Sequence, residues 1–308
     1  MKDTIEAMFG VTILGNNSAL PAYDRHPTAQ LVTLNEQLFL IDCGEGTQMQ
    51  IARYRIRHSK IGHIFISHLH GDHYFGLIGL ITSMGLLGRE HALNLYGPPG
   101  LIDIIELQLK VADTTLPFPL LFQPIEKEGL ILDHPKYSVA CFETSHRIPC
   151  WGFLITEKRN PRKILRDKVI EKGIPAAFYD HLKLGEDYIT KTGEVIPNDS
   201  VTTPNIPDSS YAFCADTKYT ESNAQKVRNA NLLYHETTYL KDLEERAIAR
   251  FHSTTVQAAN FAIHANAKKL LIGHFSSKYE KLDEFLAEAK EVFENTELAI
   301  EGVSYRID

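Results

Sequence analysis

The sequence predicts a layered α/β fold, and three observations predict it. Short apolar runs rich in β-branched and aromatic residues alternate with helical segments along the chain, the pattern of sheets covered by helices. The alternation comes in two rounds, with no fixed-period repeat and no low-complexity tract. Composition supplies a full-sized core: of 308 residues, 44 % are apolar and 23 % charged, the balance of a globular protein.

The first round opens with a strand over residues 9–14, ended by the turn-forming Gly15-Asn16-Asn17-Ser18. Residues 30–34 and 37–42 read as two strands around a turn at Asn35-Glu36. Gly44-Glu45-Gly46-Thr47 leads into a helix over 48–54. Residues 61–67 form a buried strand that runs into a histidine-rich loop, and a glycine-punctuated apolar helix follows over 75–87. In the second round, 138–144, 151–156, 211–215 and 232–234 are strand-like, each running into polar residues. A helix over 254–265 takes Ser253 as its N-cap, because a small hydroxyl side chain satisfies the first free amides. A strand at 269–273 and an amphipathic helix at 282–293 complete the round. Residues 157–204 fit the pattern poorly: polar and broken by prolines, they are expected to project from a single domain spanning 1–308.

The longest apolar stretch, 75–87, is interrupted by glycines and Ser83 and is too short to cross a bilayer. Residues 1–8 carry Lys2, Asp3 and Glu6 and lack the apolar core of a secretion signal. Both point to a cytoplasmic protein without membrane association. Cys43, Cys141, Cys150 and Cys214 are widely scattered with no CxxC pair, so reduced core thiols are expected. A net charge of −7 argues against a general nucleic-acid coat, while leaving room for a local basic surface.

The informative stretch is Ser67-His68-Leu69-His70-Gly71-Asp72-His73, directly after the apolar strand. Strand ends are where an open α/β sheet places its chemistry. Three imidazoles and a carboxylate supply the nitrogen and oxygen ligands that zinc takes. One tetrahedral ion does not easily take all four from so short a loop, which points to two adjacent metals. A solvated turn with surface histidines is the bland alternative, and it does not account for the buried strand before it. Further ligand candidates follow later strands: His146 in Thr144-Ser145-His146, Asp216 in Cys214-Ala215-Asp216 and His274 in Ile272-Gly273-His274. Each alone is weak, since a histidine after a strand is commonly a hydrogen-bonded loop residue. In this order after HxHxDH they match the metal set of the metallo-β-lactamase fold.

That resemblance implies an αββα sandwich with the metals at one edge. One zinc would be held by His68, His70, His146 and Asp216, the other by Asp72, His73, His274 and a bridging Asp216. Within the fold the chain resembles the ribonuclease Z family. Leu38 to Gln48, with Asp42-Cys43-Gly44-Glu45-Gly46-Thr47 at its centre, is similar to that family's first motif. Tyr234-His235-Glu236-Thr237-Thr238 resembles its His-Glu-Ala-Thr motif with Thr237 replacing alanine, and Phe251-His252-Ser253-Thr254 its His-Ser-Thr motif. Gly15 to Arg25 resembles the opening loop loosely. The resemblance implies an endonuclease that trims the 3′ ends of precursor tRNA, usually as a homodimer, with two zinc ions per chain. Asp72 would orient and deprotonate the attacking water. His252, held by Glu236, would protonate the departing 3′ oxygen, the task of a general acid. His63 and His235 read as structural, and His26 and His181 have no assigned role.

Residues 157–172 hold seven basic and three acidic side chains, and they occupy the place of the family's tRNA-gripping arm. Arg159, Arg162, Lys163 and Arg166 are the candidates for phosphate contact; an ordinary solvated helix is the alternative. After Gly173-Ile174-Pro175 the chain carries Ala176-Ala177-Phe178-Tyr179 where many members have a Gly-Pro pair. Two rival readings stay open on sequence: a small-molecule phosphodiesterase or arylsulfatase-like hydrolase, and a non-catalytic RNA-binding relative.

Overall fold

The computed structural model describes residues 9–307; residues 1–8, read above for their lack of an apolar core, lie outside the described residues. Two seven-stranded sheets face each other. The first contains β1 (Gly10–Gly15), β2 (Ala29–Leu34), β3 (Gln37–Ile41), β4 (Ile61–Phe65), β5 (Leu93–Gly97) and β6 (Leu120–Pro124). The second contains β7 (Gly129–His134), β8 (Tyr137–Glu143), β9 (Trp151–Glu157), β10 (Ser209–Cys214), β11 (Leu232–Glu236), β12 (Leu270–Gly273) and β13 (Thr296–Leu298). The last strand, β14 (Ser304–Arg306), returns to pair with β1. The orders are β14-β1-β2-β3-β4-β5-β6 and β13-β12-β11-β10-β9-β8-β7. In the first sheet β3 to β6 run parallel, in the second β10 to β13.

Alternation within each strand builds three apolar layers, because successive side chains leave opposite faces. Phe39 and Ile41 of β3 point between the sheets, where they join Phe153, Tyr211 and Phe213 from the second sheet. Leu38 and Leu40 point outward and meet Ile51, Leu77, Leu80, Ile81, Leu101 and Ile105. Those residues come from the helices Thr47–Arg53, Leu77–Leu86 and Gly100–Val111. Ala212 and Cys214 of β10 point outward to Ala258, Phe261 and Phe285, from the helices Thr255–His264 and Asp283–Val292. Strands buried on both faces read as nearly continuous apolar runs, which is why β12 is visible in the sequence. The fold is the αββα sandwich. All four cysteines are buried and unpaired.

Two local expectations change. The helix expected over 75–87 shortens to Leu77–Leu86, and a separate single turn, Gly71–Tyr74, forms within the histidine-rich loop before it. Thr254, not Ser253, caps the helix Thr255–His264 in a reciprocal pair with Gln257. Ser253 is drawn inward instead: its amide donates to Glu236 at 3.0 Å and its hydroxyl to the Thr217 carbonyl at 2.7 Å. The edge strands β6 and β7 were not legible, since most of their residues are exposed or half-buried and carry no clean alternation. In 157–204, short elements surround a small separate cluster of Val169, Ile174, Leu182, Ile196 and Val201. Its base is a two-stranded ribbon pairing Arg162–Ile164 with Thr202–Pro204.

Candidate metal centre

Parallel strands share one C-terminal edge, so the polar residues that follow β4, β10, β11 and β12 converge there. His68, His70, Asp72 and His73 follow β4, His146 follows β8, Asp216 follows β10, Glu236 ends β11, and His274 follows β12. His68, His70, His146 and Asp216 form one group of converging ligand atoms, and Asp72, His73 and His274 a second. The structure brings the seven sequence-predicted residues together at one edge, in a group of four and a group of three.

In the first group His70 Nδ1 lies 3.0 Å from His68 Nε2 and 3.1 Å from His146 Nε2. Asp216 Oδ2 is 3.7 Å and 3.8 Å from the same two Nε2 atoms. Ligands of a tetrahedral zinc with nitrogens at about 2.0–2.1 Å from the ion stand about 3.3 Å apart, which is this spacing. In the second group Asp72 Oδ2 is 3.5 Å from both His73 Nε2 and His274 Nε2. Asp216 Oδ1 approaches those nitrogens at 3.4 Å and 3.2 Å, so its two oxygens face the two groups. His73 Nε2, His274 Nε2 and Asp216 Oδ1 are buried without a hydrogen bond. Buried polar atoms without partners are costly, and a divalent cation among them fits the donor set.

The far nitrogens of His73, His274 and His146 are held, which fixes these rings and aims their near nitrogens. His73 Nδ1 donates to Asp42 at 2.7 Å, and Asp42 also accepts from the Ser67 amide and hydroxyl. His274 Nδ1 is 3.0 Å from the Thr238 hydroxyl, and His146 Nδ1 donates to the Phe251 carbonyl at 3.0 Å. Asp216 is buried, which favours its neutral form, but the charges of His274 and His73 outweigh burial and hold its carboxyl well below the usual range. A charged carboxylate is the form a cation needs.

Beside this centre, Glu236 is fully buried and accepts His252 Nδ1 at 2.9 Å. Burial alone would lower the pKa of His252; the Glu236 charge and hydrogen bond, with Asp216 and Asp72 behind, raise it to about 9. Asp216, His252 and His274 also form a possible ligand group. Its His252 contact to Asp216 is 3.9 Å, a full ångström longer than the bond to Glu236, so His252 belongs to the pair with Glu236. His70, His146 and Asp216 of the first group, Asp72 of the second and His252 line one cavity of about 770 Å³.

A family model described as Anti-Pycsar protein Apyc1 matches residues 9–158, just under half of the chain. Ribonuclease Z of Bacteroides thetaiotaomicron is 43 % identical over 302 residues, covering 97 % of this chain and 96 % of that protein. The chain belongs to the ribonuclease Z family. Among solved structures, human tRNase Z, short form, is similar with a TM-score of 0.72 at 25 % identity, over 97 % of this chain and 99 % of that one. The metallo-beta-lactamase fold protein YhfI from Bacillus subtilis has a TM-score of 0.69 at 19 % identity, over 97 % and 99 %, a likeness of fold.

In this ribonuclease Z family member several site residues had no assigned role in the sequence. Asp42 orients His73; Thr238, the last residue of the His-Glu-x-Thr motif, braces His274 and bonds Glu236. The available signal was membership of a family motif, Leu38 to Gln48 for Asp42 and His-Glu-x-Thr for Thr238. The arm residues divide. Arg159 pairs with Glu157 and Arg162 with Asp199, whereas Lys163 and Arg166 are exposed with no carboxylate partner among the described residues. His63 stacks beside Phe39 and Phe65, and His235 is buried with Nδ1 on the Glu236 carbonyl. His26 pairs with Glu301, and His181 with Glu186.

Proposed function

We propose that this ribonuclease Z family member is a zinc-dependent endoribonuclease that removes the 3′ trailer from precursor tRNA. Its products would be a tRNA with a free 3′ hydroxyl and a trailer with a 5′ phosphate. The observation that carries the reading is one cavity that members of both ligand groups line together with a histidine held on a buried carboxylate. His68, His70, His146 and Asp216 would hold one zinc, and Asp72, His73, His274 and Asp216 the other. When bound, the two ions supply Lewis acidity and make water a nucleophile at neutral pH.

The chain's own groups handle the protons. The Asp72 carboxylate, fixed by the Ala19 amide at 2.8 Å, takes a proton from the attacking water. As the water oxygen bonds to phosphorus, the bond from phosphorus to the 3′ oxygen breaks. His252 keeps Nδ1 on Glu236, which leaves Nε2 to hold a proton towards the cavity and deliver it to that oxygen. Its raised pKa keeps the proton in place at neutral pH.

The reading extends to a cytoplasmic homodimer of single-domain chains, each with 157–204 as a tRNA-binding arm. The separate apolar cluster of that segment supports a body that stands on its own base, and exposed Lys163 and Arg166 supply charge for phosphates. Among the described residues no helix is long and apolar enough to cross a membrane. The test is incubation of zinc-loaded protein with a 3′-extended tRNA, with products mapped to the nucleotide. A protein that hydrolyses bis(p-nitrophenyl) phosphate and leaves the tRNA intact would be a small-molecule phosphodiesterase instead.

A further inference from the structure

The mouth of the metal cavity carries a cationic rim that no motif announced. Arg147, Arg246 and Arg250 line it and are exposed. None of the three pairs with a carboxylate among the described residues, in contrast to Arg159, Arg162, Lys168 and Lys183 of the arm. Arg246 and Arg250 lie four apart on the helix Glu244–Arg250, hence on one face. That helix ends at Phe251, whose left-handed φ of 60° turns the chain directly into His252. A cation in a last helical turn ordinarily answers the helix dipole, which accounts for Arg250. It does not account for Arg246 a turn earlier or for Arg147 on another element.

Arg147 is informative in its own right. Its Nη2 lies 3.0 Å from His70 Nε2, while His70 Nδ1 faces the first ligand group. A neutral imidazole that gives Nδ1 to a cation carries its hydrogen on Nε2. Guanidinium and Nε2–H would then both be donors, so Arg147 is free to turn to an acceptor in the cavity. Among the described residues Glu45 is the only lining carboxylate besides Asp72 and Asp216, so the acceptor the rim lacks is an anion brought by a ligand. The other lip is apolar: Phe75 is 63 % exposed and Leu20 58 % exposed, and both line the cavity.

We infer that this rim is a subsite for an unpaired RNA strand beside the cleaved bond, with phosphates on Arg147, Arg246 and Arg250 and a base on Phe75. The inference rests on the endoribonuclease reading and locates its contacts at the cavity rather than the arm. Cations that carry no carboxylate are available to phosphates without breaking an ion pair. An exposed aromatic ring stacks an unstacked base and has no comparable contact with a paired one.

The experiment is binding of a short single-stranded 2′-O-methyl RNA to the zinc-loaded protein, followed by anisotropy over a series of KCl concentrations. Three phosphate contacts on a single strand contribute a salt slope of about two, which is about 100-fold in affinity at roughly 0.1 M salt. The triple variant Arg147→Gln, Arg246→Gln, Arg250→Gln is expected to lose that slope and that affinity, and the triple lysine variant to keep the slope. Phe75→Ala is expected to weaken binding about ten-fold at unchanged slope, with Phe75→Trp restoring it. Metal content and thermal midpoint, measured on every variant, separate these effects from misfolding. An unchanged slope in the folded triple glutamine variant overturns the inference, as does tighter binding of a fully paired hairpin of the same length. Failure of the unaltered protein to cut a 3′-extended tRNA would overturn the endoribonuclease reading itself, independently of the rim.

Discussion

Glu236→Gln keeps the shape of the side chain and removes its charge, which isolates what the carboxylate does for His252. Its two oxygens accept only from donors: the amides of Thr217, Thr238 and Ser253, the Thr238 hydroxyl, and His252 Nδ1. A glutamine must turn its NH₂ towards one set of these donors, at a stability cost of about 1–3 kcal/mol for the mismatched group. The effect falls on the acid as well. The Glu236 charge and hydrogen bond raise His252 to about 9 against the pull of burial. Without that charge the pKa falls, held up only by Asp216 and Asp72. The unaltered enzyme keeps His252 largely protonated at pH 6 and at pH 8, whereas the variant gives up its proton at lower pH. The ratio of variant to unaltered single-turnover rate on a 3′-extended tRNA is therefore expected to rise from pH 8 to pH 6, by at most about ten-fold per pH unit. A further loss from poorer orientation multiplies both rates alike, and titration of any other group cancels in the ratio. A ratio equal at pH 6 and pH 8, in a folded variant with normal metal content, would refute His252 as the acid held by Glu236.

Elemental analysis of fully loaded, active protein is expected to find two metal ions per chain, and a single ion would overturn the two-group assignment. Asp72→Ala is expected to abolish cleavage with the fold retained; near-normal turnover would remove Asp72 from the proton path. His252→Ala is expected to slow chemistry on the order of 10²–10⁴-fold with both metals still bound. In the arm, Lys163→Gln with Arg166→Gln is expected to raise KM for the precursor and flatten its salt dependence by up to about 0.9 per contact. Arg159→Gln with Arg162→Gln is expected in addition to lower the thermal midpoint, because these side chains hold Glu157 and Asp199; an unchanged midpoint would count against that division. Gly44→Ala puts a Cβ 2.4 Å from the Asp72 carbonyl and 2.6 Å from Pro27. It is expected to cost about 1–3 kcal/mol as an overpacked site and to impair cleavage with it, so an unaltered denaturation midpoint would contradict this packing.

What the sequence determined is what depends on near neighbours along the chain. Phe39 and Ile41 point one way and Leu38 and Leu40 the other because the strand period is two, and that much is legible in five residues. His68, His70, Asp72 and His73 were legible as a metal motif because they crowd one strand end; His146, Asp216 and His274, each weak alone, were legible only through their order after that motif and the family resemblance it carries. Edge strands β6 and β7 were not, since a strand half in water has no pattern to distinguish it from a loop. Only the tertiary structure decided which distant groups meet. Asp42 reaches His73 across 31 positions, and Thr238 reaches His274 across 36, pairings with no local signature because the sheet order creates them. The same holds for charge. Arg162 reads as a free cation in sequence and is tied by Asp199, 37 positions away. Arg147 and Arg246, nearly a hundred residues apart, become one rim because separate elements deliver them to the same cavity. Motif spacing is a property of the chain, whereas a side chain's partner is a property of the packed sheets that bring it there.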